Sequence, residues 1–140
     1  MARQMANAYA KISFHAAAAL YTGGTVAQLL KLFLSFSWTD MPFVIDWVIV
    51  VLGSIGACGL IWFQGAIAYR GVWERIVHWA IVLHLVASVA LHVWTIGQGN
   101  HELYAAFPRE YSYFAVVYFG LFAWRSWTVR LQGDRAPNAI

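Results

Sequence analysis

Charged side chains are scarce in this sequence. They make up 11% of the 140 residues, whereas 61% of the residues are hydrophobic. Soluble domains average roughly 25% charged residues, and a soluble fold this small could not bury so much apolar surface. The composition therefore excludes an ordinary soluble domain and indicates a single integral membrane domain over residues 1–140.

Cysteine and the common catalytic motifs are nearly absent as well. The one cysteine, Cys58, lies in an apolar run, so no disulfide can form within the chain and no Cys-x-x-Cys motif exists. The sequence has no Gly-rich phosphate loop and no His-Glu-x-x-His motif. Its nine Lys and Arg residues are spread along the chain and do not form a patch. Nothing therefore supports soluble catalysis or a nucleic-acid partner.

Four long apolar runs dominate what is present. They cover residues 13–36, 42–64, 74–97 and 111–129. Each is about 20 residues long, which matches the hydrocarbon thickness of a bilayer. Short links make consecutive helices antiparallel. The sequence thus predicts an all-α, multi-pass membrane protein with four transmembrane helices in an up-down bundle.

The basic residues indicate how this bundle is oriented. The side that carries both termini holds Arg3, Lys11, Arg70, Arg75, Arg125, Arg130 and Arg135, whereas Arg109 is the only base in the loops of the opposite side. Positive charge favours the cytoplasmic side. We therefore expect a protein of the cell (inner) membrane with both termini in the cytoplasm. The side with the termini is called the inner end below, and the opposite side the outer end.

Small residues indicate where helices come close together. Ala19, Gly23 and Ala27 recur at every fourth position of the first run, and the second run contains GSIGACG at 53–59. Such spacing lets helix backbones approach each other. We expect these surfaces to pack helices within the bundle, to mediate self-association, or to dock other membrane subunits.

The third run is unusual because it contains three histidines, His78, His84 and His92. An ionisable residue in a membrane span costs a few kcal/mol, so such positions are functional candidates. His78 and His92 project from similar faces about 21 Å apart along the axis, and could each face one of two stacked cofactors. His84, Ser88 and His92 instead form an i, i+4, i+8 polar stripe. Both interpretations of His92 stay open.

Depth along the helices sorts the remaining polar residues. His15, Glu74, Arg75, His78 and Arg125 fall near the inner end, and Lys31, Asp46 and His92 near the outer end. A Lys31–Asp46 ion pair between the first two helices would neutralise two costly charges. We expect Lys31, Asp46, His84 and Ser88 to be structural polar residues within the membrane.

One short motif resembles a known family. The sequence Arg75-x-x-His78-Trp79 at the start of an apolar helix is similar to the opening of the membrane subunits of b-type cytochromes, such as those of formate dehydrogenases and hydrogenases. The resemblance implies haem b held between histidines of different helices. His15 and His78 would be the metal ligands at the inner end, and His101 could join His92 at the outer end. Arg75 and Arg125 could pair with the haem propionates, because arginine matches carboxylate geometry.

Two functions follow from these observations. The first is a haem- or pigment-binding subunit of an electron-transfer complex, where a (bacterio)chlorophyll would need only one histidine. The second is a cofactor-free accessory or assembly protein of the membrane, or a small transporter. Enzymatic activity stays undecided.

Overall fold

The computed structural model describes residues 1–35 and 37–132. Four α-helices account for most of them. They are α1 (Ala2–Leu34), α2 (Phe43–Trp62), α3 (Val72–Gln98) and α4 (Arg109–Trp127). The helices α1, α2 and α3 are long and apolar enough to cross a membrane. The prediction of an all-helical chain with four long helices is therefore confirmed for the described residues, and three of these helices could span a membrane by length and composition. A spanning role for α4 stays a prediction.

The helix bounds differ from the predicted ones mainly at the start of α1. The helix begins at Ala2, eleven residues before the predicted start at Ser13, because no glycine or proline precedes Gly23 to interrupt it. Its 33 residues reach about 50 Å, so α1 is longer than the hydrocarbon layer of about 30 Å. The predicted last residue, Phe36, and the basic residue Arg135 lie outside the described residues.

Proline and glycine mark the other helix ends. Pro42 and Pro108 stand just before α2 and α4, where a missing backbone N–H does no harm. Gly99 ends α3 with a positive φ of 69°, and its N–H donates to the carbonyl oxygens of Thr95 and Ile96. A glycine favours this left-handed conformation because it has no Cβ.

The helix α1 lies at the centre of the bundle. It packs against α2 on one side and α4 on the other, and α2 packs against α3, whereas α3 and α4 approach each other closely at only a few positions. The core joins Phe14 and Tyr21 of α1 to Leu60 of α2, Leu85 of α3 and Phe122 of α4. The helix α1 therefore links α4 to the rest of the bundle.

The glycines of α2 pack as the sequence predicted. A Cβ added at Gly53 would lie 2.7 Å from Val89 Cγ2 on α3, and one at Gly59 would overlap the Ser13 hydroxyl on α1. The helix α2 therefore approaches both neighbours through its glycines. In contrast, a Cβ at Gly23 of α1 would meet no described atom within 4 Å. Gly23, the middle residue of the Ala19–Gly23–Ala27 stripe, therefore does not pack against another helix of the bundle.

At the inner end, the link after α2 pairs with the segment after α4. The N–H of Ala68 donates to the Arg130 carbonyl at 2.9 Å, and the N–H of Gln132 donates to the Ala66 carbonyl at 2.9 Å. Ile67 and Leu131 form the bridge between these bonds and are both buried. This pairing brings Tyr69, Arg70 and Arg130 to the same end of the bundle.

Candidate functional site

Polar side chains gather at three depths along α3. We call them the inner cluster (Tyr69, Glu74, Arg75, His78 and Arg125), the His84 cage (Tyr21, His84, Tyr118, Phe119 and Phe122) and the Asp46 cluster (Asp46, His92, His101 and Tyr104). Each cluster contains one of the three histidines of α3. The sequence predicted this order of depths, but it did not predict all the partners.

In the inner cluster, three side chains converge on Tyr69. The His78 ring lies 5.6 Å from the Tyr69 ring, edge to face, and Arg75 Cζ lies 5.4 Å from the same ring. The charge of Arg125 also acts on Tyr69: burial raises the pKa of the Tyr69 phenol, and Arg125 and Arg75 partly offset this effect. The structure thus brings together Arg75, His78 and Arg125, as predicted from their depth.

Several buried polar atoms of the inner cluster have no partner within the described residues. They are the Tyr69 hydroxyl, both ring nitrogens of His78, and Nε and Nη2 of Arg125. His78 is only 1% exposed, and its ring approaches the backbone of Leu60. Unpaired buried polar groups are rare in folded proteins and call for an explanation, such as an ion or ligand.

His15 does not join this cluster. Its Nδ1 lies 2.7 Å from the Lys11 carbonyl, its ring contacts Trp127 at 5.8 Å, and the residue is exposed. His78 instead faces Phe14, the preceding residue of α1, with ring centroids 6.2 Å apart. One residue turns a helix by about 100°, so His15 points away from His78. Ligation of haem b by the His15–His78 pair stays a prediction, and this geometry gives it no support.

At middle depth, aromatic rings surround His84. Its ring centroid lies 5.3 Å from those of Tyr118 and Phe119 and 6.0 Å from that of Phe122, all on α4. These contacts join α3 to α4 at middle depth. Half-buried Ser88 lies one turn further along α3. Since His84 contacts residues of α1 and α4 and His92 those of α2 and the last loop, the predicted stripe does not form a single polar site.

A tyrosine on α1 orients the His84 imidazole. The Tyr21 hydroxyl lies 3.0 Å from His84 Nδ1 and 3.4 Å from the Ile81 carbonyl oxygen. Because a carbonyl only accepts, one arrangement satisfies both contacts: Tyr21 donates to Ile81 and accepts from the Nδ1–H of His84. This tautomer leaves Nε2 without a proton and therefore able to bind a metal.

The Asp46 cluster lies at the outer end. Asp46 is fully buried, and its carboxylate accepts hydrogen bonds from His92 Nδ1 at 2.7 Å, His101 Nε2 at 2.6 Å and the Tyr104 hydroxyl at 2.8 Å. The His101 ring also stacks on Phe43 at 4.3 Å. These contacts fasten the loop between α3 and α4 onto the start of α2.

The predicted Lys31–Asp46 ion pair is therefore wrong. Lys31 Nζ lies 5.3 Å over the Trp38 ring, while both carboxylate oxygens of Asp46 are taken by His92, His101 and Tyr104. The equal depth of Asp46 and His92 was visible in the sequence. The sequence places His101 at the outer level, but it predicts neither its contact with Asp46 nor the role of Tyr104.

Among the described residues, no group of three or more His, Cys, Asp or Glu side chains could hold a metal ion. Comparison with family models, curated proteins and solved structures finds no match to this chain.

Proposed function

We propose that this chain is a small membrane subunit of an electron-transfer complex that binds a metallated tetrapyrrole through His84. Haem b and a (bacterio)chlorophyll both belong to this class. The observation that carries the proposal is the Tyr21–His84 pair: a ligating histidine usually donates its second ring N–H to an oxygen. The bound tetrapyrrole would supply the electron-transfer chemistry, and the chain would hold and orient it.

The surroundings of His84 support this choice over the other histidines. His84 is half-buried, whereas His78 is enclosed and His92 is hydrogen-bonded to Asp46. The rings of Tyr118 and Phe119 provide the apolar surface that a flat macrocycle packs against. A single imidazole is also enough for a five-coordinate haem or a chlorophyll, so His15 is not required.

The visible spectrum of the purified protein tests this proposal. We expect a Soret or chlorophyll band after expression with tetrapyrrole supply, loss of most of this band in His84→Ala, and an altered band in Tyr21→Phe. His15→Ala is the matched control and should keep the band. A colourless protein under both haem and chlorophyll supply, or a band unchanged in His84→Ala, would refute the proposal.

A second candidate is a cofactor-free accessory subunit that associates through α1. The specific observation is the open space at Gly23, where an added Cβ would meet no other described side chain or helix within 4 Å. Gly23 belongs to the Ala19–Gly23–Ala27 stripe. Small residues with this spacing drive helix association in membranes. Cross-linking in native membranes tests it: Gly23→Leu should abolish the cross-linked species and Gly97→Leu should not. Monomer alone in the unchanged protein would count against it.

We also propose that the inner end of the bundle faces the cytoplasm of a cell (inner) membrane. Within the described residues, the inner end carries Arg70, Arg75 and Arg130 in or beside its loops, and the outer loops carry Arg109. The positive-inside rule assigns the side that is richer in Lys and Arg to the cytoplasm. The orientation places the arginine-rich inner cluster next to the cytoplasmic leaflet.

A further inference from the structure

A cationic cleft opens at the inner end between α3 and α4. Its volume is about 250 Å³, and its lining residues are Arg70, Glu74, Trp124, Arg125, Thr128 and Arg130. Three arginines thus face a single carboxylate. The excess of positive charge favours an anionic ligand.

Arg125 is the lining residue that needs a ligand most. Its side chain is 5% exposed, and neither Nε nor Nη2 makes a hydrogen bond to any described residue. A buried guanidinium with two unsatisfied nitrogens is costly unless a ligand satisfies them. Arg125 therefore has two donors, fixed in one plane, that a phosphate or carboxylate could accept.

Glu74 does not fill this role. Its Oε2 lies 3.7 Å from Arg125 Nη2, which is too long for a hydrogen bond. The same oxygen accepts a hydrogen bond from the Arg70 backbone N–H at 2.8 Å. Glu74 therefore holds the start of α3 and forms a long ion pair with Arg125, but it does not provide a hydrogen bond to Nη2.

The position of the cleft indicates where its ligand lies. Four exposed tryptophans surround the inner end of the bundle: Trp62, Trp73, Trp124 and Trp127. Tryptophan is enriched at the level of lipid headgroups. The cleft therefore lies at the depth of the phosphate groups of the inner leaflet, where anionic lipids attract basic residues.

We propose that this cleft is a binding site for a phosphate group, with the buried guanidinium of Arg125 as its central contact and Arg70 and Arg130 at its rim. The phosphate belongs either to an anionic phospholipid headgroup or to a soluble phosphate compound. This site differs from the tetrapyrrole site at His84 in its residues and in its depth along the bundle. The phosphate proposal and the tetrapyrrole proposal can therefore fail independently.

Native mass spectrometry of the detergent-purified protein tests the lipid source. Added phosphatidylglycerol should bind more tightly than phosphatidylcholine. Arg125→Gln should weaken phosphatidylglycerol binding about tenfold or more, because it removes charge-assisted hydrogen bonds. Arg125→Lys should recover only part of the affinity, since an ammonium lacks the planar fork. Calorimetric titration with inorganic phosphate and pyrophosphate tests the soluble source.

Two further variants keep the test decisive if Arg125→Gln fails to fold. Arg70→Gln and Arg130→Gln alter exposed rim residues and should each weaken phosphatidylglycerol binding about threefold to fivefold. Arg3→Gln is the matched control, because it removes an exposed charge of the same end outside the cleft, and should leave binding unchanged.

The outcomes separate clearly. The site is supported if the cleft variants lose either selective binding of phosphatidylglycerol or binding of phosphate or pyrophosphate. The ligand that binds identifies the source of the phosphate group. Equal binding of both lipids together with no binding of phosphate or pyrophosphate would overturn it. An equal loss in Arg3→Gln would also overturn it, because the attraction would then come from the overall charge.

Discussion

Removal of the Asp46 carboxylate should destabilise the protein strongly. Asp46 is fully buried and accepts hydrogen bonds from His92, His101 and Tyr104 at 2.6–2.8 Å. In Asp46→Ala, three donors would lose this acceptor at once, and two of them, His101 and Tyr104, are buried. The loop between α3 and α4 would also lose its attachment to α2.

The magnitude follows from the kind of contact that is lost. Breaking a buried, charged, hydrogen-bonded group by removing one partner costs about 3–5 kcal/mol. The three bonds share one carboxylate, so their energies do not add independently. At about 3 °C per kcal/mol for a chain of this length, the midpoint of thermal unfolding should fall by about 10 °C.

Thermal unfolding in detergent, followed by the fluorescence of the eight tryptophans, measures this change. Asp46→Asn should cost less than Asp46→Ala, because its amide oxygen still accepts one hydrogen bond. Asp40→Ala is the control, since Asp40 is an exposed acid of the same outer end. A midpoint for Asp46→Ala equal to that of Asp40→Ala would refute the structural role of the cluster.

Two other predictions concern packing and pH. Gly59→Ala should lower the unfolding midpoint in the same assay, because its Cβ would overlap the Ser13 hydroxyl. Gly120→Ala is the control and should change the midpoint little, since a Cβ there would meet no described atom within 4 Å. Equal midpoints for the two variants would contradict the close approach of α1 and α2. Burial, followed by the Asp46 carboxylate, raises the pKa of Tyr104, so the folded protein holds that proton more tightly than an unfolded tyrosine with a pKa of about 10. Its stabilising contribution is complete below about pH 10 and is lost as the pH rises further. Tyr104→Phe should make this alkaline decline shallower, and an identical decline in both proteins would show that Tyr104 does not contribute.

The sequence was sufficient for the features that depend on local pattern. Apolar runs of bilayer length predicted α1, α2 and α3, and the glycines at 53–59 predicted the close packing of α2. Depth along a helix follows from a constant rise per residue. For this reason the sequence alone assigns Arg75, His78 and Arg125 to one level.

The partners of each polar residue depend on helix rotation, which the sequence pattern does not determine. His78 meets Phe14 and not His15, although these two residues are neighbours on α1. Asp46 meets His101 and Tyr104 because a short 3-10 segment, Glu102–Ala106, folds the last loop back towards α2. Constant rise does not apply to such a loop, so depth along the helices could suggest Lys31 or His92 as a partner of Asp46 but not His101 or Tyr104.

The depths of all three clusters depend on a chain that crosses a bilayer with its arginine-rich end in the cytoplasm. Labelling of single cysteines with a membrane-impermeant maleimide tests this directly in a Cys58→Ser background. The Glu102→Cys variant, at the outer end, should react in intact cells, and the Gln4→Cys variant, at the inner end, should react only after permeabilisation. The reverse pattern, or labelling of both variants in intact cells, would contradict the proposed orientation.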